Sequence, residues 1–367
     1  MTEMNCLRRH PITQTTVGPL VLRVAVCLVL VGCTTDSTTP EPPRECPDET
    51  QPATVGAPGL PAVGAPASNP QSEQGIALGR RLFHDTALSR DDSQSCASCH
   101  RPELAFSDGR RFSIGVDGIA GTRSAPALTN TTWSESHFWD GRAGTLEDQA
   151  IAPVENPIEM GESWDHVVAK LQSDPQYPDL FCEVFGTSRI SRSLVVKAIA
   201  QFERTFVSNN SRYDRWLRGQ VQLTPEEQRG LVLFKDEPGD CFHCHTPDLF
   251  TDLRFHNTGL DASPADPGLA ATTGQNTDVG KFKTPTLRNV ALTAPYMHDG
   301  RFQTLDEVLD HYISGGVHSP NLDPLMRVGV GLPITAAQKQ DLIAFLHTLT
   351  DTSFVNNPEF RAPANMP

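Results

Sequence analysis

Pro126-Ala127-Leu128-Thr129-Asn130, followed by Asp140-Gly141-Arg142-Ala143-Gly144-Thr145-Leu146-Glu147-Asp148, is the stretch that decides the fold. It returns as Pro285-Thr286-Leu287-Arg288-Asn289 and Asp299-Gly300-Arg301-Phe302-Gln303-Thr304-Leu305-Asp306-Glu307. Matched positions move by 159 residues, from 126 to 285 and from 148 to 307, with no gap. Upstream, Gly79-x-x-Leu82-Phe83-x-Asp85 is matched by Gly230-x-x-Leu233-Phe234-x-Asp236. One short match is within reach of chance; this many in register reads as a module built twice.

Each copy carries one Cys-x-x-Cys-His run, Cys96-Ala97-Ser98-Cys99-His100 and Cys241-Phe242-His243-Cys244-His245. Such a run attaches haem c: the cysteines form thioethers and the histidine is the proximal iron ligand. Two covalently bound haem groups are therefore expected, on Cys96, Cys99 and His100 and on Cys241, Cys244 and His245. Half a zinc site or a redox dithiol is the alternative for each Cys-x-x-Cys. The histidine ending both runs, and the export signal described below, argue against it.

The local pattern is helical. Thr145, Ser163, Thr224, Thr304 and Thr335 each stand where an N-cap would, ahead of an amphipathic run. Thr224-Pro225-Glu226-Glu227 is a capping box with Pro at the first helical position, and Thr304 with Glu307 and Thr335 with Gln338 repeat the box. Leu194 to Phe206 places Leu194, Ala198, Phe202 and Phe206 on one helical face. No period-two pattern of useful length occurs. The expected fold is all-α, two cytochrome-c-like haem domains at 72–215 and 216–350, joined near 208–222. The last helix, 335–350, could pack back on the first domain, and 351–367 reads as a tail. The Gly-, Asp- and Thr-rich stretch 259–280 lengthens the second copy and reads as a surface loop.

Ahead of the repeats, Arg8, Arg9 and Arg23 precede a short apolar run, Val24 to Val31, too short to span ~30 Å of hydrocarbon. Residues 1–33 read as a secretory signal, and Leu30-Val31-Gly32-Cys33 resembles a bacterial lipobox whose cysteine becomes acylated. An ordinary cleaved signal or an uncut anchor are the alternatives. Residues 34–71, rich in Pro, Thr, Ala and Gly, read as a flexible tether. The expected location is the periplasm, with a lipid anchor at Cys33 in the outer membrane and no other membrane-crossing run.

The formal net charge of −14 argues against nucleic-acid binding and favours a basic partner. Of nine cysteines, Cys6 and Cys27 lie in the signal, Cys33 is the lipidation candidate and four carry haem. Cys46 and Cys182 remain. An oxidising compartment would let them pair, but Cys46 sits in the tether, so two unpaired thiols are at least as well supported.

A duplicated module that kept one job would keep the same residue types at equivalent sites. Here Tyr312 corresponds to Pro153, Trp139 to His298, and Gln149 and Glu159 to Val308 and His318. If the 153/312 position lies above the iron, Tyr312 closes the second haem and Pro153, which has no donor atom, leaves the first open. An open iron binds a small oxidant and a closed one exchanges electrons. Tyr312 as a core aromatic is the bland alternative, of nearly equal weight. Trp139 is suited to bridge two redox centres, or is a core residue. Glu159 could move a proton between two peroxide oxygens if burial raises its pKa; otherwise it is an ordinary solvated acid.

These motifs, with Phe138-Trp139-Asp140-Gly141-Arg142-Ala143, Thr284-Pro285-Thr286-Leu287-Arg288-Asn289 and Ala294-Pro295-Tyr296-Met297-His298-Asp299-Gly300, resemble the bacterial di-haem cytochrome c peroxidases from about residue 72 to 350. The resemblance implies a peroxidatic N-terminal haem and an electron-accepting C-terminal haem. It places His100 and His245 as proximal ligands, Trp139 as inter-haem bridge, and Gln149 and Glu159 in the peroxide pocket. Many such peroxidases carry a distal histidine after the first motif, yet Arg101 to Thr122 has none. They commonly use methionine where this chain has Tyr312. Both departures resemble the MauG branch, which oxidises tryptophans of a partner protein. Met297 and Met326 are fallback ligands for the second haem. The resemblance also implies calcium held by Thr293 and Pro295 carbonyls, with Ser124 where Asn is usual.

The expected activity is reduction of hydrogen peroxide at the first haem, with electrons from a small cytochrome c or cupredoxin. A MauG-like oxidase acting on a protein substrate is the alternative enzyme, and a plain di-haem electron carrier the non-catalytic rival. A homodimer is compatible with all three.

Overall fold

A computed structural model of the chain describes residues 45–47, 50–364 and 366. The signal and lipobox expected at 1–33, and tether residues 34–44, 48 and 49, lie outside the described residues. Among those described there are twelve α-helices and one pair of two-residue strands. The helices are α1 (Glu73–His84), α2 (Cys96–Cys99), α3 (Leu146–Glu155), α4 (Trp164–Ser173), α5 (Tyr177–Phe185) and α6 (Arg192–Glu203). They continue with α7 (Arg212–Leu217), α8 (Pro225–Lys235), α9 (Ala270–Thr273), α10 (Leu305–Ser314), α11 (Ala336–His347) and α12 (Thr352–Val355). None is long and apolar enough to cross a membrane.

The caps form as the sequence pattern requires. Thr145, Ser163, Thr224, Thr304 and Thr335 each accept a backbone N–H of the first turn, satisfying a donor that would otherwise be orphaned. Two helix crossings organise two apolar cores. At Gly79 a Cβ would lie 1.9 Å from the Ala198 carbonyl oxygen, so α1 and α6 meet only because glycine is there. At Gly230 a Cβ would lie 1.9 Å from the Asp341 carbonyl oxygen, and α8 meets α11 in the same way. The first core gathers Leu82, Phe83, Phe106, Phe202 and Phe206; the second gathers Tyr213, Phe234, Phe250, Leu342 and Phe345.

Finer features recur at the same interval of 159. Asn130 and Asn289 both take a left-handed backbone, with φ of 60° and 63°. The bridge between His137 and Ala143 recurs between Tyr296 and Phe302, and α3 recurs as α10. The two regions also clasp each other reciprocally. The Ser124 N–H donates to the His298 carbonyl at 2.8 Å, and the Lys283 N–H donates to the Trp139 carbonyl at 2.9 Å. Ser208 adds a buried node, with its carbonyl bonded to Asn130 and its hydroxyl to Asn289 and Asp351.

Several expectations need correction. The last helix does not return to the first core: α11 packs on α8, and its Leu342, Phe345 and Leu346 belong to the second core. The segment expected as a tail does return, since Phe354, Val355 and Phe360 are buried in the first core. The described part of the tether is tied down rather than loose. Cys46 and Cys182 form a disulfide, and buried Asn69 donates to Glu147 and to the Lys197 carbonyl. The pattern from Leu194 to Phe206 overran the helix, which stops at Glu203, although Phe206 stays buried. Two short strands, β1 (Phe255–His256) and β2 (Phe282–Lys283), pair antiparallel. The intervening 259–280 loop, exposed for much of its length, still docks on the first region, with Asp266 paired to Arg123 and Thr272 donating to the Asp140 carbonyl.

Candidate active site

The first Cys-x-x-Cys-His run forms the single turn α2, and the chain then folds back so that His100 Nδ1 lies 2.7 Å from the Phe106 carbonyl. In the second run His245 Nδ1 lies 3.1 Å from the Phe250 carbonyl. Phe106 and Phe250 both adopt positive φ, 64° and 54°, and both are fully buried. A carbonyl can only accept, so each imidazole donates through Nδ1, and the Nε2 of His100 is left for a metal. Burial lowers the pKa of both histidines, keeping them neutral as a ligand must be. Burial also pushes the Cys99 thiol up to about 11 and those of Cys241 and Cys244 to about 12. Inert, desolvated thiols suit thioether attachment rather than redox exchange.

A cavity of about 820 Å³ opens beside the first run. Its walls bring together Cys96, Cys99 and His100 with Trp139, Gln149, Pro153 and Glu159. Its size and its mostly apolar lining fit a large flat cofactor, and the orphaned Nε2 and paired thiols fit haem c in particular.

Helix α3 sets Gln149 and Pro153 on this wall. The chain turns at Asn156, and Gly161 with φ of 62° completes the turn. Glu159 sits within it, its carbonyl accepting the Val116 N–H at 2.9 Å, while the next carbonyl, of Met160, accepts the Arg90 N–H at 3.0 Å. Its carboxylate accepts from Asn156 Nδ2 at 2.6 Å. Burial raises the Glu159 pKa, against the opposing pull of Asn156 and the Arg142 guanidinium. It is near enough to Cys99 to raise that thiol as well. Trp139 donates its indole N–H to the Ser124 carbonyl at 2.9 Å, which fixes the ring in the cavity wall.

Tyr312 lies in α10 on the side of the second run. Burial is the first cause of its strongly raised pKa, and the nearby Cys244 and Cys241 are the others. Of the fallback ligands, Met297 is held by its carbonyl, which accepts from Ser124 Oγ at 2.9 Å, and the Met326 side chain lies against Gly316. No group of three or more His, Cys, Asp or Glu side chains is placed to hold a metal among the described residues. Ser124, Thr293 and Pro295 offer neutral oxygens, a donor type that calcium accepts.

Three wall residues escaped the sequence reading. Glu203 and His137 are buried, and Lys283 reaches over from β2. Burial raises the Glu203 pKa to about 8 and lowers that of His137 to about 4. The repeat register would have flagged Lys283, which stands opposite Ser124; Glu203 needed the helix crossing.

The family model for di-haem cytochrome c peroxidase matches residues 73–222. The methylamine utilization protein MauG of Methylorubrum extorquens is 40% identical over 78% of this chain and 81% of its own length. Cytochrome c peroxidase Ccp of Escherichia coli is 40% identical over 77% of this chain and 60% of its own. Among solved structures, a MauG-like protein associated with microbial copper homeostasis superposes with a TM-score of 0.78 at 40% identity. That match covers 83% of this chain and 97% of the other.

Proposed function

The chain belongs to the di-haem cytochrome c peroxidase and MauG family, and from that membership we propose a peroxidase that reduces hydrogen peroxide to water. The observation that carries this reading is Glu159, a carboxylate with a raised pKa in the wall of the cavity that holds Cys96, Cys99 and His100.

Haem bound in the cavity supplies an iron that binds peroxide and exchanges electrons. His100, its ring fixed by the Phe106 carbonyl, would hold that iron through Nε2. Glu159 takes a proton from one peroxide oxygen and returns it to the other, which leaves as water. Two electrons and two further protons complete the second water. The Gln149 amide would orient the peroxide, and Pro153 offers no donor atom that would compete with it for the iron. Trp139 stands between the two haem regions, its indole N–H and its carbonyl both engaged. A small cytochrome c or cupredoxin with a basic face supplies the electrons, in keeping with the net charge of −14.

The second reading, oxidation of a partner protein's side chains, is favoured by Tyr312 lying beside Cys241 and Cys244. A phenolate ligand stabilises ferric and higher states, which suits slow abstraction from protein side chains. We also propose that the two haem regions arose by duplication, on the recurrence of bridges, left-handed asparagines and helices. Export to the periplasm, with an anchor at Cys33, is supported by the Cys46–Cys182 disulfide, which an oxidising compartment maintains. Calcium at Ser124, Thr293 and Pro295 would contribute charge at the junction.

Steady-state peroxide consumption with a reduced small cytochrome as donor tests the proposal. Rapid turnover supports the peroxidase; two intact haems with negligible turnover would overturn it in favour of protein oxidation.

A further inference from the structure

Four cationic side chains line the first cavity: Arg123, Arg142, Lys283 and Arg301. Arg123 pairs with Asp140 and Asp266, Arg142 with Asp140, and Arg301 with Asp261 and Asp299. Of these four, Lys283 alone has no carboxylate partner among the described residues. Its ammonium donates to Ser134 Oγ at 2.8 Å and to the Ser136 carbonyl at 2.7 Å, both neutral oxygens. An enclosed cation without an anion is costly, and such a group is normally paired or neutralised.

The repeat register sharpens the point. Lys283 is the counterpart of Ser124, and Ser134 and Ser136 are the counterparts of Thr293 and Pro295. One side of the junction thus offers only neutral oxygens, and on the other the Ser134 hydroxyl and the Ser136 carbonyl receive an ammonium from the chain itself. The same residue's backbone N–H holds the Trp139 carbonyl, so the ammonium is fixed to the wall that carries the indole.

We propose that Lys283 is the built-in counter-ion of the first haem, pairing with a propionate carboxylate of the group bound in that cavity. This rests on the haem reading above. The carboxylate is the anion the site lacks, and it comes with the cofactor rather than from the protein. Burial alone depresses the lysine pKa, to about 8, with no acidic partner opposing it; the propionate supplies that partner. Lys283 is a positioning residue, acting on the iron through the propionate. A fixed positive charge beside the macrocycle favours the reduced iron, whose net charge is lower by one unit, and so raises the potential.

The test is a spectroelectrochemical titration of the purified protein, with the haem count taken first. Lys283→Met and Lys283→Gln should retain two haems and shift the first haem to lower potential, with a smaller shift in the second. Gln keeps donors for Ser134 and Ser136 while removing the charge, so it serves if Met disturbs folding. Lys283→Arg should restore a potential close to that of the unaltered protein. An unchanged first-haem potential in the Met and Gln variants would overturn the assignment, as would an Arg variant shifted as far as Met. Fewer than two haems in the unaltered protein would overturn the cofactor reading itself.

Discussion

Gly115 stands so close to Ile158 that a Cβ on it would lie 2.0 Å from the Ile158 carbonyl oxygen and 2.8 Å from that of Glu159. The loop carrying Glu159 is therefore seated directly on bare backbone, and its height above the cavity is set by the absence of one methyl group. Gly115→Ala should lift that loop. The expected cost is about 1–3 kcal/mol of stability from overpacking and roughly tenfold in peroxide turnover. Melting temperature, haem content and initial rates check it; an unaltered rate would detach Glu159 placement from catalysis.

Glu159→Gln should retain both haems and slow peroxide turnover by about 10²-fold or more, the scale of a lost general acid–base group. The base form is the active one, and burial raises its pKa. In the unaltered protein kcat/KM should rise with pH along a limb displaced above the ordinary glutamate range, and the Gln variant should lack that limb. A limb that survives the substitution belongs to another group.

Tyr312→Met should change the absorption spectrum and potential of the second haem and leave the first unaltered, because Tyr312 sits beside Cys241 and Cys244. Resonance Raman or magnetic circular dichroism would register loss of a phenolate ligand. Spectra identical to those of the unaltered protein would reduce Tyr312 to a packing residue.

Glu203 follows Phe202, which packs at Gly79, as Leu346 follows Phe345, which packs at Gly230. One crossing thus carries a buried acid where the other carries leucine. The unfolded carboxyl titrates near 4.5 and the folded one at about 8. Between those values the unfolded chain gives up its proton first, so stability falls as pH rises and levels off above about 8. Glu203→Leu should be more stable at pH 7 by roughly 3 kcal/mol, with the gain vanishing near pH 4. Paired thermal melts across that range measure it; a pH-independent gain would mean that packing, not charge, is responsible.

What the sequence made legible was whatever is periodic or local. The capping threonines, the Cys-x-x-Cys-His turns and the 159-residue register are short-range patterns, and each appears in the structure as helix, turn or repeated bridge. Glu203 and Lys283 stayed hidden because a charged residue looks solvated until tertiary packing turns it inward. Cys46 misled for a similar reason. Its Pro-rich surroundings have too few large apolar residues to form a core, yet a covalent bond and one buried asparagine suffice to hold such a segment. The final correction, Phe354 and Phe360 in the first core, reflects long-range contact that no local window contains.

The Cys46–Cys182 disulfide fixes position 46 to the first core's helix α5. The next tie along the chain is the pairing of residues 51–53 with 71–74; an extended chain from position 33 to 51 could reach about 60 Å, and from 33 to 46 roughly 45 Å. A lipid at Cys33 would then hold the haem domains within about one protein diameter of the bilayer. A soluble donor would have to approach from the side or from above, and the catalytic unit would sweep a thin layer next to the membrane rather than the depth of the compartment. Reducing that single bond would lengthen this reach by only about a third, because the pairing of residues 51–53 with 71–74 would remain.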